Sequence, residues 1–250
     1  MKQIVILLVI FLSLTSCARN QYRQTHSPAR YPSMPITSAP KQSQASMGYT
    51  PATQPITPLY NKGLIVIDAG HGGKDFGTNS PSNPKYLEKN LTLSTAFMLR
   101  NYLQQMGYEI VLTRDDDTFI PLDERAQIAN DQKPKAFISV HYNHAASKEA
   151  AGVEVFYYKS EDNKTRSSSS KLLAESILTN VIHITKAKSR GVKHGNFAVI
   201  RETKMPAILI EGGFLSNEGE MEKIKKAAYL KQLAWGIANG LDEYIGKPKV

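Results

Sequence analysis

The sequence has very little cysteine, which excludes one common way of stabilising a small domain. Cys17 is the only cysteine among 250 residues, so an intramolecular disulfide is excluded. Residues 1–60 also lack acidic residues and contain five basic ones, so they carry five of the nine net positive charges. No nucleic-acid-binding motif accompanies this charge. It therefore favours an anionic membrane surface or an acidic polymer as partner, rather than nucleic acid.

The N-terminal apolar run is too short to span a membrane. Apolar residues extend from Ile4 to Leu12, after one early positive charge at Lys2, whereas a transmembrane helix needs about 20 such residues. The run is typical of the hydrophobic region of a secretory signal. The string LTSC, which ends at Cys17, resembles a bacterial lipobox. We predict a lipoprotein signal peptide over residues 1–16 and lipidation of Cys17; the alternative is an ordinary signal with an incidental cysteine.

Residues 17–60 have almost no large aliphatic side chains and are rich in Ser, Thr, Gln and Pro. A segment of this composition cannot bury enough apolar surface to fold. We predict a disordered linker that acts as a passive tether after the lipidated cysteine. The folded domain is predicted over residues 61–250.

Apolar segments alternate with amphipathic ones in this domain, and no internal repeat is found. Three helical stripes are predicted around residues 91–106, 172–182 and 230–245. Alternating strands and helices indicate an α/β fold, in which a single mostly parallel or mixed sheet of about six strands is flanked by helices. The predicted strands are Leu64–Ile67, Glu109–Leu112, Ala136–Val140, Val153–Tyr157, Phe197–Ile200 and Ala207–Ile210.

Polar residues follow three of these buried strands at the point where each strand ends. His71 lies on a glycine-rich turn after the first, His141 leaves the third, and Glu211 leaves the last. The turn lacks both GxGxxG spacing and a Walker lysine, so phosphate binding is weakly supported. Ligands gather beyond the carboxyl ends of strands in such sheets, and Glu88 lies just before the first long helix.

Two imidazoles and a carboxylate form a standard catalytic zinc shell with one position open for water. His71, Glu88 and His141 offer this set, which leaves Glu211 as the residue that handles protons. These residues are far apart in sequence and form no local signature. Their spacing alone therefore leaves a metal site and separate structural roles both open.

The chain resembles the zinc-dependent N-acetylmuramoyl-L-alanine amidases of bacterial cell walls (type 3). The resemblance extends from residue 64 to about residue 245 and includes IVIDAGHGGKDFG, LEKNLTL, FISVHYNHA, GVEVFYY and AILIEGGFLSN. It implies one zinc ion held by His71, Glu88 and His141, with Glu211 as the catalytic carboxylate. The implied reaction is hydrolysis of the amide between N-acetylmuramic acid and L-alanine in peptidoglycan, for cell-wall remodelling and daughter-cell separation.

The resemblance and the leader together imply a periplasmic or other extracytoplasmic protein, lipid-anchored to a bacterial membrane, with peptidoglycan as its partner. Family members that are controlled by division-associated activators often carry an extra helix between the second zinc histidine and the catalytic glutamate. No surplus segment is seen between His141 and Glu211. An autoinhibitory insertion is therefore not expected, and an activator is not implied.

Four further residues are secondary candidates. Asn143 follows a ligand by two positions and is expected to contact substrate or to hydrogen-bond at the strand end. Arg201, at the end of the predicted FAVIR strand, is expected to bind a substrate carboxylate or to form a surface salt bridge. Ser168 and Lys171 match the SxxK pattern of penicillin-binding serine enzymes, although no KTG element accompanies them. Serines that cap a helix explain the same string.

Two other function classes stay open at this point. One is a peptidoglycan carboxypeptidase, which would use either the same zinc or the SxxK serine. The other is a lipoprotein that binds the wall without cutting it.

Overall fold

The computed structural model describes residues 61–247. The predicted signal peptide (1–16), Cys17 and the predicted linker (17–60) lie outside the described residues, as do residues 248–250. Lipidation and the tether therefore stay predictions. Within the described part of the chain, no helix is both long enough and apolar enough to cross a membrane.

Six strands and six helices form the regular structure of the described residues. In chain order they are β1 (Leu64–Ala69), α1 (Glu88–Gln105), β2 (Glu109–Leu112), α2 (Leu122–Gln132), β3 (Ala136–Asn143), β4 (Val153–Tyr157), α3 (Lys164–Thr185), β5 (Ser189–His194), α4 (Ala198–Arg201), β6 (Ala207–Phe214), α5 (Glu218–Ile224) and α6 (Ala227–Gly246).

The six strands form one sheet in the order β2-β1-β3-β6-β4-β5. The first four strands in this order are parallel to one another. Strand β4 pairs with β6 antiparallel, and β5 pairs with β4 in parallel. The α/β fold with a mixed six-stranded sheet flanked by helices is thus confirmed.

Both faces of the central strands are buried, which explains their continuous apolar runs. One face, with residues such as Ile67 and Ile138, packs against α1, α3 and α6. The other face carries Val66, Phe137 and Leu209 and packs against residues of α2 and α4. Side chains alternate along a strand, so the second face is also the one that presents Glu211, two residues beyond Leu209.

The predicted strand Phe197–Ile200 is wrong. Phe197 caps the short helix α4, which contains the other three residues, and the Arg201 amide donates to the Phe197 carbonyl (2.9 Å). The adjacent residues Val199 and Ile200 are both buried, a pattern that one turn of helix on a core satisfies as well as a strand does. Arg201 therefore ends a helix and not a strand.

Strand β5 has no counterpart among the predicted strands. Its sequence SRGVKH contains a single large aliphatic residue, Val192. This side chain packs against the core on the sheet face that carries Ile67 and Ile138. Strand β5 is one of the two edge strands of the sheet, the other being β2, and its side chains are all half-buried or exposed. Hydrophobic periodicity is consequently absent, and the strand forms through backbone pairing with β4.

Candidate active site

His71, Glu88 and His141 come together at the carboxyl edge of the parallel strands. Their potential ligand atoms all lie within 4.8 Å of one another. Glu88 Oε1 lies 3.0 Å from His71 Nε2 and 3.0 Å from His141 Nδ1. The three residues come from the loop after β1, the first turn of α1 and strand β3. The fold thus gathers residues that no local sequence motif joins.

The loop after β1 needs glycine where it approaches the other two residues. At Gly70, a Cβ atom would collide with the His141 ring. Gly77 adopts φ +64°, and a Cβ there would press on both Glu88 and His71. Because only glycine fits these two positions, the glycine-rich turn serves the close approach of the ligand side chains.

Asp75 fixes the orientation of the His71 ring. His71 Nδ1 donates to Asp75 Oδ2 (2.9 Å), which leaves Nε2 directed at Glu88. Burial lowers the pKa of His71, but Glu88 and Asp75 outweigh this effect and raise that pKa above its ordinary value. A carboxylate that accepts from the outer nitrogen of a histidine is common at metal sites, and Asp75 stands in that position for the candidate ligand His71.

Glu88 is buried and ionised. Its Oε2 accepts from the Thr78 amide (2.9 Å), and its Oε1 accepts from the Tyr142 amide (3.1 Å). Burial favours the neutral acid, but hydrogen bonds from His141 and His71 hold the pKa of Glu88 well below its usual range. A buried anion that faces two imidazoles provides the charge and donor types that Zn²⁺ prefers. The residues present therefore fit a zinc ion.

Glu211 lies beside this cluster. It is the register partner of His141 on β3 and of Glu154 on β4. Its Oε2 is buried and has no hydrogen-bond partner within residues 61–247. Burial raises the pKa of Glu211 to about 7. A carboxyl group with such a pKa can take and return a proton near neutral pH.

Two buried arginines hold the loop that carries His71. Arg125 donates to Asp68 Oδ1 (2.9 Å), to the Ala69 carbonyl (2.7 Å) and to the His71 carbonyl (2.7 Å). Arg114 donates to the Ala69 carbonyl (2.9 Å) and to the Gly70 carbonyl (2.8 Å). The two guanidinium groups thus bind three successive carbonyls, which fixes the path of the loop.

The sequence did not reveal these arginines. Arg125 lies on the same side of α2 as the buried Ala126 and Ala129, but an arginine beside an apolar stripe is ordinarily solvent-exposed. Asp68 accepts from Thr113 and Ser139 as well as from Arg125. It therefore supports the loop through Arg125, whereas Asp75 contacts His71 directly.

Asn143 ends β3, two residues after His141, and hydrogen-bonds to another side chain of the same chain. Its Nδ2 donates to Glu154 Oε1 (2.6 Å). Arg201 hydrogen-bonds to residues that flank α4, with Nε donating to Glu202 Oε1 (2.7 Å) and Nη1 to Asn196 Oδ1 (2.8 Å). Both residues thus have structural partners, and substrate binding by either one stays a prediction.

Ser168 and Lys171 lie on the exposed side of α3. Lys171 Nζ pairs with Glu175 Oε1 at 3.3 Å, and no hydrogen bond joins Ser168 to Lys171 in the described part of the chain. The helix packs against α6 and β4, on the face of the sheet away from Glu211. The SxxK pair is therefore not part of the His71 cluster.

Comparison with known proteins gives the same family along most of the chain. The N-acetylmuramoyl-L-alanine amidase family (Amidase_3) matches residues 65–243. The probable cell wall amidase LytH of Staphylococcus epidermidis is 34% identical over 198 residues, which cover 78% of this chain and 63% of that protein. The chain thus spans less than two thirds of the length of this relative.

Solved structures agree with this match. The N-acetylmuramoyl-L-alanine amidase of Clostridium difficile 630 is 38% identical with a TM-score of 0.68, covering 72% of this chain and 95% of that chain. The CwlD amidase of Clostridioides difficile, solved in complex with the GerS lipoprotein, is 28% identical with a TM-score of 0.67, covering 73% and 98%. From its fold, from its gathered His-Glu-His cluster and from these matches, the chain belongs to the N-acetylmuramoyl-L-alanine amidase family.

Proposed function

We propose that this chain is a zinc-dependent amidase that hydrolyses the bond between the lactyl group of N-acetylmuramic acid and L-alanine in peptidoglycan. The observation that carries the proposal is the pairing of the His71–Glu88–His141 cluster with the buried, unpartnered carboxylate of Glu211. Family membership supports the choice of bond. The donor set supports zinc, because two imidazoles and one carboxylate are typical of catalytic zinc sites.

His71, Glu88 and His141 would hold the ion, with Asp75 fixing the His71 ring. Zinc bound in this way polarises a carbonyl group and makes a water molecule acidic near neutral pH. Glu211 takes the proton of the attacking water on its free carboxylate oxygen and delivers it to the departing amine of L-alanine. The glycine-rich turn and the two arginines keep the loop after β1 in place throughout.

Product analysis tests the proposal directly. The purified protein is incubated with peptidoglycan, with and without a chelator, and the products are identified by mass. We expect intact stem peptides that begin with L-alanine, no release in the chelator, and recovery when zinc is added back. Release of D-alanine alone would indicate that the protein is a carboxypeptidase and not an amidase. Wall binding without any product would leave a non-catalytic lipoprotein.

We further propose that the active site is open without an activator. The long helix between His141 and Glu211 is α3, which packs against α6 and β4 on the other face of the sheet. The side chains of His71 and His141 are 21% and 17% exposed to solvent. The related CwlD amidase was solved in complex with the GerS lipoprotein, so one relative does associate with a partner protein. Equal rates for the purified protein with and without extract from its own cells would support an open site.

The proposed location is extracytoplasmic, with a lipid anchor on Cys17, where stem removal serves wall remodelling and daughter-cell separation. Intact-mass and detergent-partition analysis of the mature protein test the anchor. A water-soluble mature form with an unmodified cysteine would contradict it.

A further inference from the structure

A cationic patch lies beside Glu211 on the antiparallel side of the sheet. It consists of Arg190 and Lys193, both on the outermost strand β5. We name these two residues the β5 patch. Neither residue has a role in the zinc cluster or in the proton transfer described above.

Strand register puts the patch next to the reacting centre. Glu154 on β4 is directly opposite Glu211 on β6, so both side chains lie on the same face of the sheet. Arg190 Nε donates to Glu154 Oε2 (2.9 Å), and Lys193 Nζ donates to the same oxygen. Strand β4, which carries Glu154, is therefore the single strand between the β5 patch and Glu211.

The carboxylate of Glu154 neutralises only part of the positive charge of the β5 patch. The Glu154 side chain is only 5% exposed, while those of Arg190 and Lys193 are 30% and 41% exposed. One carboxylate faces two cations, which leaves one net positive charge. Among the described residues, Nε carries the only hydrogen bond found for the Arg190 guanidinium, so both of its terminal nitrogens are free to donate.

The Arg190 guanidinium is also held in orientation. Its central carbon lies 4.8 Å from the centre of the Phe214 ring, at the end of β6. A guanidinium stacked on an aromatic ring loses little further freedom when it binds a ligand. Free, paired donors on a pre-oriented guanidinium match the two oxygens of a carboxylate.

We propose that the β5 patch binds a carboxylate of the stem peptide, on the residue that follows L-alanine, and so positions the scissile amide between the zinc cluster and Glu211. This proposal rests on the proposed amidase function and deepens it. Glu154 acts as the support that holds both cations toward the peptide. The ligand class is an acidic peptide.

Two matched substrates test the proposal. They are N-acetylmuramoyl peptides that differ only in the residue after L-alanine, which carries a free carboxylate in one and a carboxamide in the other. We expect Lys193→Met and Arg190→Gln each to raise KM for the carboxylate substrate roughly 10- to 100-fold. KM for the carboxamide substrate and kcat for both should change little, and Lys193→Arg should retain most of the wild-type KM.

Lys159→Met is the matched control. Lys159 follows the carboxyl end of β4, which lies at the end of the sheet away from Glu211 because β4 is antiparallel to β6. Its side chain is 63% exposed, and it pairs with Glu161 at 3.7 Å. The Lys159→Met variant loses the same positive charge at a position away from Glu211. KM for both substrates should therefore stay at the wild-type value. Equal losses on both substrates for the Lys193 and Arg190 variants would show that the patch only supports the fold, and would overturn the proposal.

A binding measurement separates this proposal from the proposed function. Calorimetry on the Glu211→Gln protein with the same two compounds needs no turnover. Tighter binding of the carboxylate compound, abolished by Lys193→Met, supports the patch even if the wild-type protein cleaves neither compound. Equal binding of both, or binding of neither, overturns it, whereas failure of cleavage alone overturns only the amidase proposal.

Discussion

At the scale of single residues, the site combines groups whose protonation states are pushed in opposite directions. Glu88 accepts two imidazole hydrogen bonds and stays ionised, while burial raises the pKa of Glu211 to about 7. Two carboxylates with different environments serve different chemistry. One is suited to hold a cation and the other to carry a proton.

Replacing Glu211 by Gln should remove turnover and leave the metal in place. The amide preserves the shape of the side chain but cannot accept a proton, so we expect kcat to fall by roughly 10²- to 10⁴-fold. Zinc content measured by atomic absorption should stay at one ion per chain. Wild-type kcat in this variant would remove Glu211 from the mechanism.

Replacing Asp75 by Asn should weaken the metal site through His71. The variant loses the carboxylate that accepts from His71 Nδ1, and such outer partners contribute about 10- to 100-fold to metal affinity. Competition with a chromogenic chelator measures this loss. Asp131→Asn is a suitable control, because Asp131 contacts Gln127 on α2 instead. Unchanged affinity in Asp75→Asn would contradict the positioning role.

At the scale of elements, helix α2 and strand β1 are joined by a buried ion pair between Arg125 and Asp68. The side chains of Arg125 and Asp68 are 2% and 1% exposed. Breaking a buried pair leaves an uncompensated charge, so Arg125→Met should lower the free energy of unfolding by about 3–5 kcal/mol. Chemical denaturation measures this. Lys171→Met, which breaks an exposed pair on α3, should change the midpoint very little.

The same pair predicts a pH dependence of stability. Burial raises the pKa of Asp68, but Arg125, Ser139 and Thr113 outweigh burial and lower it below the ordinary 3.8. The stabilisation is therefore complete above the ordinary pKa and is lost as pH falls through the lowered folded value. The stability difference between wild type and Asp68→Asn should be constant from pH 7 to about 5 and shrink in more acidic solution. A difference that grows on acidification would contradict this sign.

Much of this architecture could be predicted from the sequence, and what could not be predicted depends mainly on how the strands are arranged. The buried runs at Leu64, Ala136 and Ala207 predict strands because both of their faces are apolar, and polar residues at their ends predict the site. Strand β5 and Glu154 could not be found in this way. Their roles depend on which strands are neighbours and in which register, and periodicity within one segment does not contain that information.

At the scale of the whole molecule, the candidate ligands come from elements that only the folded sheet brings together. Metal binding and folding should therefore be coupled. Removing zinc should lower Tm, and adding zinc back should raise it in proportion to the logarithm of its free concentration. Differential scanning calorimetry measures the shift, and the His71→Ala variant should show almost none. Equal shifts in both proteins would indicate a different metal site.

The reversal of chain direction between β6 and β4 has a consequence for how such an enzyme can change. The proposed metal-binding residues come from the loop after β1, from α1 and from β3. The β5 patch lies on β5, which with β4 runs antiparallel to these parallel strands. The outermost strand packs against the core mainly through Val192. Its exposed side chains can therefore vary with little effect on the catalytic half, so grafting β5 from a relative should transfer stem preference while the catalytic rate constant is inherited from the recipient.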